Sequence, residues 1–228
     1  QGKTMYRGIR YAYDGLDHKI KEISPLGNVY AYEYGNEDEL IRSIHPAAYA
    51  AGKKDGIVFA YDRYGNNIQT LYPDGGMESR AYDANGNLTS LTNALGQTET
   101  KKYDNMNRLV QETDATGAKT TYQYDGKGQL LSSTDGNGNT TAVAYDGNGN
   151  VISVTDGEGR QVRYAYDLAD RLTEAMAGDA SYENRNTYTY DEVGNLTSTT
   201  DGNGNKMTYT YDLLSNQTSR TNALGETE

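Results

Sequence analysis

Tyr124-Asp125-Gly126-Lys127-Gly128-Gln129-Leu130-Leu131-Ser132-Ser133-Thr134-Asp135-Gly136-Asn137-Gly138-Asn139-Thr140-Thr141-Ala142-Val143-Ala144 is one full period of this chain. It holds the same punctuation mark twice, Asp-x-x-Gly-x, at Asp125 to Gln129 and at Asp135 to Asn139. A three-residue hairpin loop takes two ordinary turn residues and then one in the left-handed region, where glycine is favoured because it has no Cβ. The aspartate that opens each mark can bond the backbone two residues on and so close the turn. Between the marks lie short arms rich in Thr, Tyr, Val and Leu, of the kind seen again at Leu88-Thr89-Ser90-Leu91-Thr92. Their length and alternation are those of strands, and no period of 3.6 competes. The stretch predicts a β-hairpin joined to its neighbours by equal turns.

The pattern extends outward over most of the chain. A Tyr-Asp pair stands at Tyr61-Asp62, Tyr82-Asp83, Tyr103-Asp104, Tyr124-Asp125, Tyr145-Asp146 and Tyr166-Asp167, 21 residues apart, and resumes at Tyr190-Asp191 and Tyr211-Asp212. The turn glycines are Gly86, Gly128, Gly149 and Gly194 after the Tyr-Asp pairs, and Gly96, Gly117, Gly138, Gly159, Gly204 and Gly225 in the second loop. A fixed period of this size marks one supersecondary unit repeated along the chain. The predicted fold is therefore all-β: a repetitive antiparallel hairpin meander of about ten units over residues 1–228, taken as a single domain.

Closing both ends of each hairpin with the same loop sets each Tyr across from the residue six places later, usually Leu or Val. These pairs form a ladder, each rung worth roughly 0.2–1 kcal/mol. The half-periods are 10 and 11 residues, so strict face alternation cannot hold and one bulge per repeat is expected. Bulges add twist and bend, which predicts a curved or spiralling sheet. The period is interrupted at residues 35–57, where Tyr34 lacks a following Asp and a short helix or elaborated loop is expected. A second break at residues 176–186 reads as an enlarged loop.

Composition sets limits on function. Only 33 of 228 residues are Leu, Ile, Val or Phe and the formal net charge is −11, but 22 tyrosines supply the bulk that aliphatics usually provide. The absence of cysteine excludes a disulfide framework and thiol chemistry. The acidic balance excludes nucleic acid as a partner, and no apolar run is long enough for membrane insertion by a helix. The chain starts and stops within the repeat and reads as a segment cut at both ends from a larger protein.

With Tyr-x-Tyr-Asp-x-x-Gly-x-Leu assembled, as in Tyr188-Thr189-Tyr190-Asp191-Glu192-Val193-Gly194-Asn195-Leu196, the chain resembles the RHS/YD-repeat proteins. These include the shells of bacterial Rhs and wall-associated polymorphic toxins, insecticidal toxin-complex subunits and animal teneurins. The resemblance implies a spiralling β-sheet that walls off a toxic C-terminal segment, or an extracellular adhesion surface. The Asp-Pro-x-Gly type motif of Rhs self-cleavage is missing, since the prolines are Pro25, Pro46 and Pro73; neither that activity nor a toxin domain is carried over.

No catalytic, cofactor or metal site is expected. The Asp-Gly-Asn-Gly-Asn loops at Asp135, Asp146 and Asp201 lack the Gly and Glu that an EF-hand needs at its sixth and twelfth places. Repetition gives every register the same side chains, which favours a structural, non-enzymatic role. The expected partners are the rest of the chain's own polypeptide and its C-terminal cargo, at the cell surface, in the cell wall or outside the cell. The alternative is a module binding carbohydrate or a cell-surface receptor through off-period tyrosines such as Tyr49, Tyr64, Tyr72 or Tyr182.

Overall fold

The computed structural model describes residues 8–178 and 184–228. Residues 1–228, read above as one repeat domain, cluster into two compact units, Gln1–Gly117 and Ala118–Glu228. The first holds β1 (Arg10–Tyr13), β2 (Lys19–Ile23), β3 (Val29–Tyr34), β4 (Leu40–Ile44), a short helix α1 (Pro46–Ala50), β5 (Gly56–Tyr61), β6 (Asn67–Leu71), β7 (Met77–Tyr82), β8 (Leu88–Thr92), β9 (Thr98–Tyr103) and β10 (Leu109–Thr113). The second holds β11 (Lys119–Tyr124), β12 (Leu130–Thr134), β13 (Thr140–Tyr145), β14 (Val151–Thr155), β15 (Gln161–Tyr166), β16 (Leu172–Ala177), β17 (Asn184–Tyr190), β18 (Leu196–Thr200), β19 (Lys206–Tyr211) and β20 (Gln217–Thr221). Within each unit every strand pairs antiparallel with the next in sequence. The all-β hairpin meander is what the period predicts.

The tyrosine register follows the same arithmetic. Tyr82 lies opposite Leu88, Tyr103 opposite Leu109, Tyr124 opposite Leu130, Tyr145 opposite Val151, Tyr166 opposite Leu172 and Tyr190 opposite Leu196. At both ends of the set the partner is polar: Tyr61 faces Asn67 and Tyr211 faces Gln217. Every hairpin that turns after such a Tyr carries a register slip close to it, and the eight intervening pairings within the units run without one. Between β11 and β12, Gln123 faces Ser132 while Tyr124 faces Leu130, so Leu131 is the extra, bulged residue. An odd repeat of 21 closed by identical loops leaves one residue to absorb, and the bulge absorbs it.

Alternation across the pleat separates the side chains. One face carries Tyr122, Tyr124, Val143, Tyr145, Tyr164 and Tyr166 with Leu130, Val151 and Leu172 opposite them. The other carries Ala142, Ala144, Ala165, Ser132 and Ser153. The core is thin: among the described residues Ala31 and Ile44 are the buried apolar side chains, and no large side chain is fully enclosed.

The region from 35 to 57 contains a regular hairpin followed by the real insertion. Gly35 stands where Asp usually opens the turn, its N–H still donates to Glu39 O at 2.8 Å, and Tyr34 still faces Leu40. The extra residues lie in the next loop and form α1, which packs against β3. Pro46 starts the helix, where its missing N–H costs nothing. Gly52 ends it at φ +66°: Gly52 N–H bonds Tyr49 O and Lys53 N–H bonds Ala48 O, the paired bonds of a Schellman stop. The strand resumes at Gly56, where a Cβ would lie 2.2 Å from the Ser43 carbonyl oxygen. Gly56→Ala should therefore cost about 1–3 kcal/mol through forced strand separation, read as a lowered urea midpoint. An unchanged midpoint would mean that β4 and β5 yield freely there. The enlarged loop at 176–186 includes residues 179–183, which lie outside the described residues, as does Tyr182.

Candidate functional site at the tyrosine-aspartate turns

Each Tyr-Asp turn is held by its aspartate in the same way. In the turn after Tyr82, Gly86 N–H donates to Asp83 O and Asp83 N–H to Asn87 O, which closes a type I turn with glycine in the left-handed fourth place. The Asp83 carboxylate then takes three donors. Its Oδ1 accepts the N–H groups of Asn85 and Asn87, each at 2.9 Å, and its Oδ2 accepts Asn87 Nδ2 at 3.0 Å. Asp62, Asp146, Asp191 and Asp212 repeat this with Asn66, Asn150, Asn195 and Asn216. Asp104 and Asp167 do it with the Nε of Arg108 and Arg171. The second loops use the same device at Asp135, Asp156 and Asp201.

The donor groups hold these carboxyls below the ordinary aspartate range. For Asp83, Asp135, Asp146, Asp201 and Asp212 the leading cause is the side-chain amide four residues on, followed by that residue's backbone N–H. For Asp104 and Asp167 the backbone N–H of the arginine leads.

Where the opening residue changes, its partner changes with it. Asn93 and Asn222 open their turns with an amide that donates, and the residue four on is an acceptor, Gln97 Oε1 or Glu226 Oε2. Gly35 brings no side chain, and Glu39 folds back from the fifth place to accept the Glu37 N–H in the missing aspartate's stead. In these turns position five complements position one in hydrogen-bond polarity, whereas the turns opened by Tyr72 and Asp114 have Gly76 and Ala118 in fifth place, with no polar side chain to do so. The motif Asp-x-x-Gly-x leaves that last residue open, and this is the part of the site that reading the motif missed. Tyr13-Asp14, one period before Tyr34, also forms such a turn, with Asp17 in the fourth place, although the Tyr-Asp series read from the sequence begins only at Tyr61.

The left-handed place shows the same tolerance. Gly86, Gly128, Gly149, Gly194, Gly96, Gly117, Gly138, Gly159, Gly204 and Gly225 all have positive φ, between +77° and +101°, but so do Asp17, Asp38, Asn107, Asp170 and Ser215, between +58° and +65°. Nothing lies within 4 Å of a Cβ built at Gly128, so substitution there meets a torsional cost alone. Gly128→Val should cost about 1–2 kcal/mol and Gly128→Asn only a few tenths. Equal thermal melts for the two variants would show that the left-handed place is not what selects glycine.

A second device links one repeat to the one before. The hydroxyl of the tyrosine preceding the turn donates to the carbonyl of the residue that faced the previous such tyrosine. Tyr103 reaches Leu88 O at 3.1 Å, Tyr145 reaches Leu130 O at 3.0 Å and Tyr211 reaches Leu196 O at 3.0 Å. Tyr82 donates to Asn67 O, Tyr61 to Leu40 O and Tyr190 to Leu172 O. Ring and hydroxyl work together: the ring packs on the sheet and its tip satisfies a backbone acceptor. Burial raises the hydroxyl pKa of Tyr61, Tyr166 and Tyr190.

This recurrence of a hairpin headed by Tyr, an aspartate-pinned turn and a left-handed residue is matched by the RHS repeat family at residues 82–119, 107–140, 145–179 and 185–227. The chain belongs to the RHS repeat family. No curated protein matches this RHS repeat chain. Among solved structures it is similar to TcdB2-TccC3-Cdc42, at 18% identity and TM-score 0.39 over 93% of this chain and 17% of that one. The Photorhabdus luminescens Tc holotoxin pore matches at 15% identity and TM-score 0.40, over 93% of this chain and 18% of that one. A porin-like protein from Bacteroides uniformis matches at 18% identity and TM-score 0.33, over 67% of this chain and 81% of that one. The RHS repeats thus span less than a fifth of the toxin-complex chains they match.

Among the described residues no helix is long and apolar enough to cross a membrane, and no cluster of three or more His, Asp or Glu side chains is placed to hold a metal ion. The off-period Tyr64 is 71% exposed and bonds the Arg63 guanidinium through its hydroxyl, while Tyr49 lies beside the Lys21 ammonium.

Proposed function

We propose that this RHS repeat chain is a non-catalytic wall segment of a larger secreted or surface Rhs-type protein, and that its hairpins help enclose a C-terminal cargo from the same polypeptide. The observation that carries the reading is the uniformity of the turns. Their carboxylates point inward to their own backbones, so each aspartate is spent on holding a hairpin and is not offered to a substrate. The tyrosine hydroxyls are engaged in the same way by neighbouring carbonyls. Stacked hairpins with such links gain stability from their neighbours, as in other repeat architectures, which suits a partition more than a pocket.

Limited proteolysis of the full-length protein tests this. The region C-terminal to the repeats should resist digestion while the repeats are intact, and become sensitive when Tyr145→Ala and Gly128→Val together loosen the wall. A C-terminal region digested equally fast in both proteins would overturn the enclosing role. Specific capture of the intact protein on a glycan array would instead favour an adhesive one.

A further inference from the structure

We propose that His18 is a protonation-dependent link between the first two tyrosine-headed turns. His18 stands in the fifth place of its turn, four residues after Asp14. At the same place in other turns Asn87 and Asn150 each use the two protons of one amide nitrogen. One goes to their own aspartate, Asp83 or Asp146. The other goes to the left-handed residue of the next turn, Asn107 at 2.8 Å or Asp170 at 2.7 Å. Arg171 spans two turns as well, from Asp167 to the carbonyl of Asp191. At Asn87, Asn150 and Arg171 the fifth-place residue is therefore a two-way donor that ties one tyrosine-headed turn to the next.

His18 occupies this role with different chemistry. Its Nδ1 lies 3.0 Å from Asp14 Oδ2, in its own turn, and its Nε2 lies 3.2 Å from Asp38 Oδ1. Asp38 is the left-handed residue of the next turn, at φ +65°, the counterpart of Asn107 and Asp170. A neutral imidazole carries one N–H and can donate to only one of the two carboxylates; the imidazolium donates to both. The ring also stacks on Tyr34, with centroids 4.5 Å apart and planes 14° apart, and is only 15% exposed. Tyr34 itself is tied to Lys19 O through its hydroxyl.

The charged groups around the ring leave the pair of aspartates as its partners. In the second turn Glu39 serves the Glu37 N–H, and on β2 Lys19 is taken by Glu22. Asp17 and Glu37 are the remaining titratable groups of the two turns. Protonation adds a cation between two carboxylates, so the link is complete when the ring carries both protons and opens on the Asp14 or the Asp38 side when it loses one. The Asp38 side chain is 70% exposed, so the effect is screened by salt.

Amide hydrogen exchange of the Asp14–His18 and Gly35–Glu39 turns, corrected for intrinsic rates, should show protection falling about two- to fivefold between pH 5.5 and pH 8. His18→Asn restores the permanent two-way donor and should make that protection independent of pH while keeping the fold. Asp38→Ala should also abolish the pH dependence, with protection low throughout. Nitrogen-15 NMR of the wild-type protein at pH 5.5 should show both His18 ring nitrogens protonated, with His45 as internal reference. A singly protonated His18 ring at that pH, or an unaltered pH dependence in His18→Asn, overturns the proposal.

Discussion

Tyr145→Ala is expected to lower the stability of the sheet by about 2–4 kcal/mol, the loss of a half-buried aromatic ring together with its hydrogen bond. Two contacts go at once: the ring leaves its rung with Val151, and the hydroxyl no longer satisfies Leu130 O. Tyr145→Phe separates these effects, because it keeps the ring and removes only the hydroxyl bond, for about 1 kcal/mol. Urea denaturation followed by far-UV circular dichroism measures both. A loss below about 1 kcal/mol for the alanine variant would show that the periodic tyrosines do not form the core.

Acidification is expected to unfold the hairpins. The turn aspartates have folded pKa values depressed by the N–H and amide groups that bind them, against an unfolded value near 3.9. A depressed carboxyl contributes stability that is fully present above the unfolded pKa and is lost as pH falls through the folded one. The urea midpoint should accordingly be level from about pH 5 to 6 and fall steeply below about pH 4. At that point the protonated carboxyls accept fewer bonds, and 21 lysines and arginines repel one another without counter-charge. A midpoint that stays constant to pH 2 would mean that the carboxylates do not hold the turns.

Much of this architecture was legible in the residues, and for a physical reason. Strand length, turn chemistry and the partner of each tyrosine depend on spacing within about ten residues. Counting from Tyr124 to Leu130 was enough to place them face to face, and the odd total of 21 announced the bulge that leaves Leu131 unpaired. What escaped depends on groups brought close by the fold or on polarity that a motif leaves blank. The hydroxyl of Tyr145 finds a carbonyl 15 residues back, and Asn85 finds Asn107 22 residues ahead. The left-handed Asp17, Asn107, Asp170 and Ser215 were hidden because a search for glycine passes over them. The interruption at 35–57 was seen as a break in the Tyr-Asp pairs, although Gly35 and Glu39 keep the turn with the carboxylate supplied from its other end.

The complementarity between the first and fifth residues of a turn has an evolutionary consequence. Each loop of this kind carries both halves of its own lock within five consecutive codons, so a stretch of gene copied or lost in whole periods brings those loops along intact. Lengthening or shortening by recombination then disturbs only the seam, where a tyrosine must find a new carbonyl to its rear. Selection can thus adjust the number of hairpins without redesigning any of them.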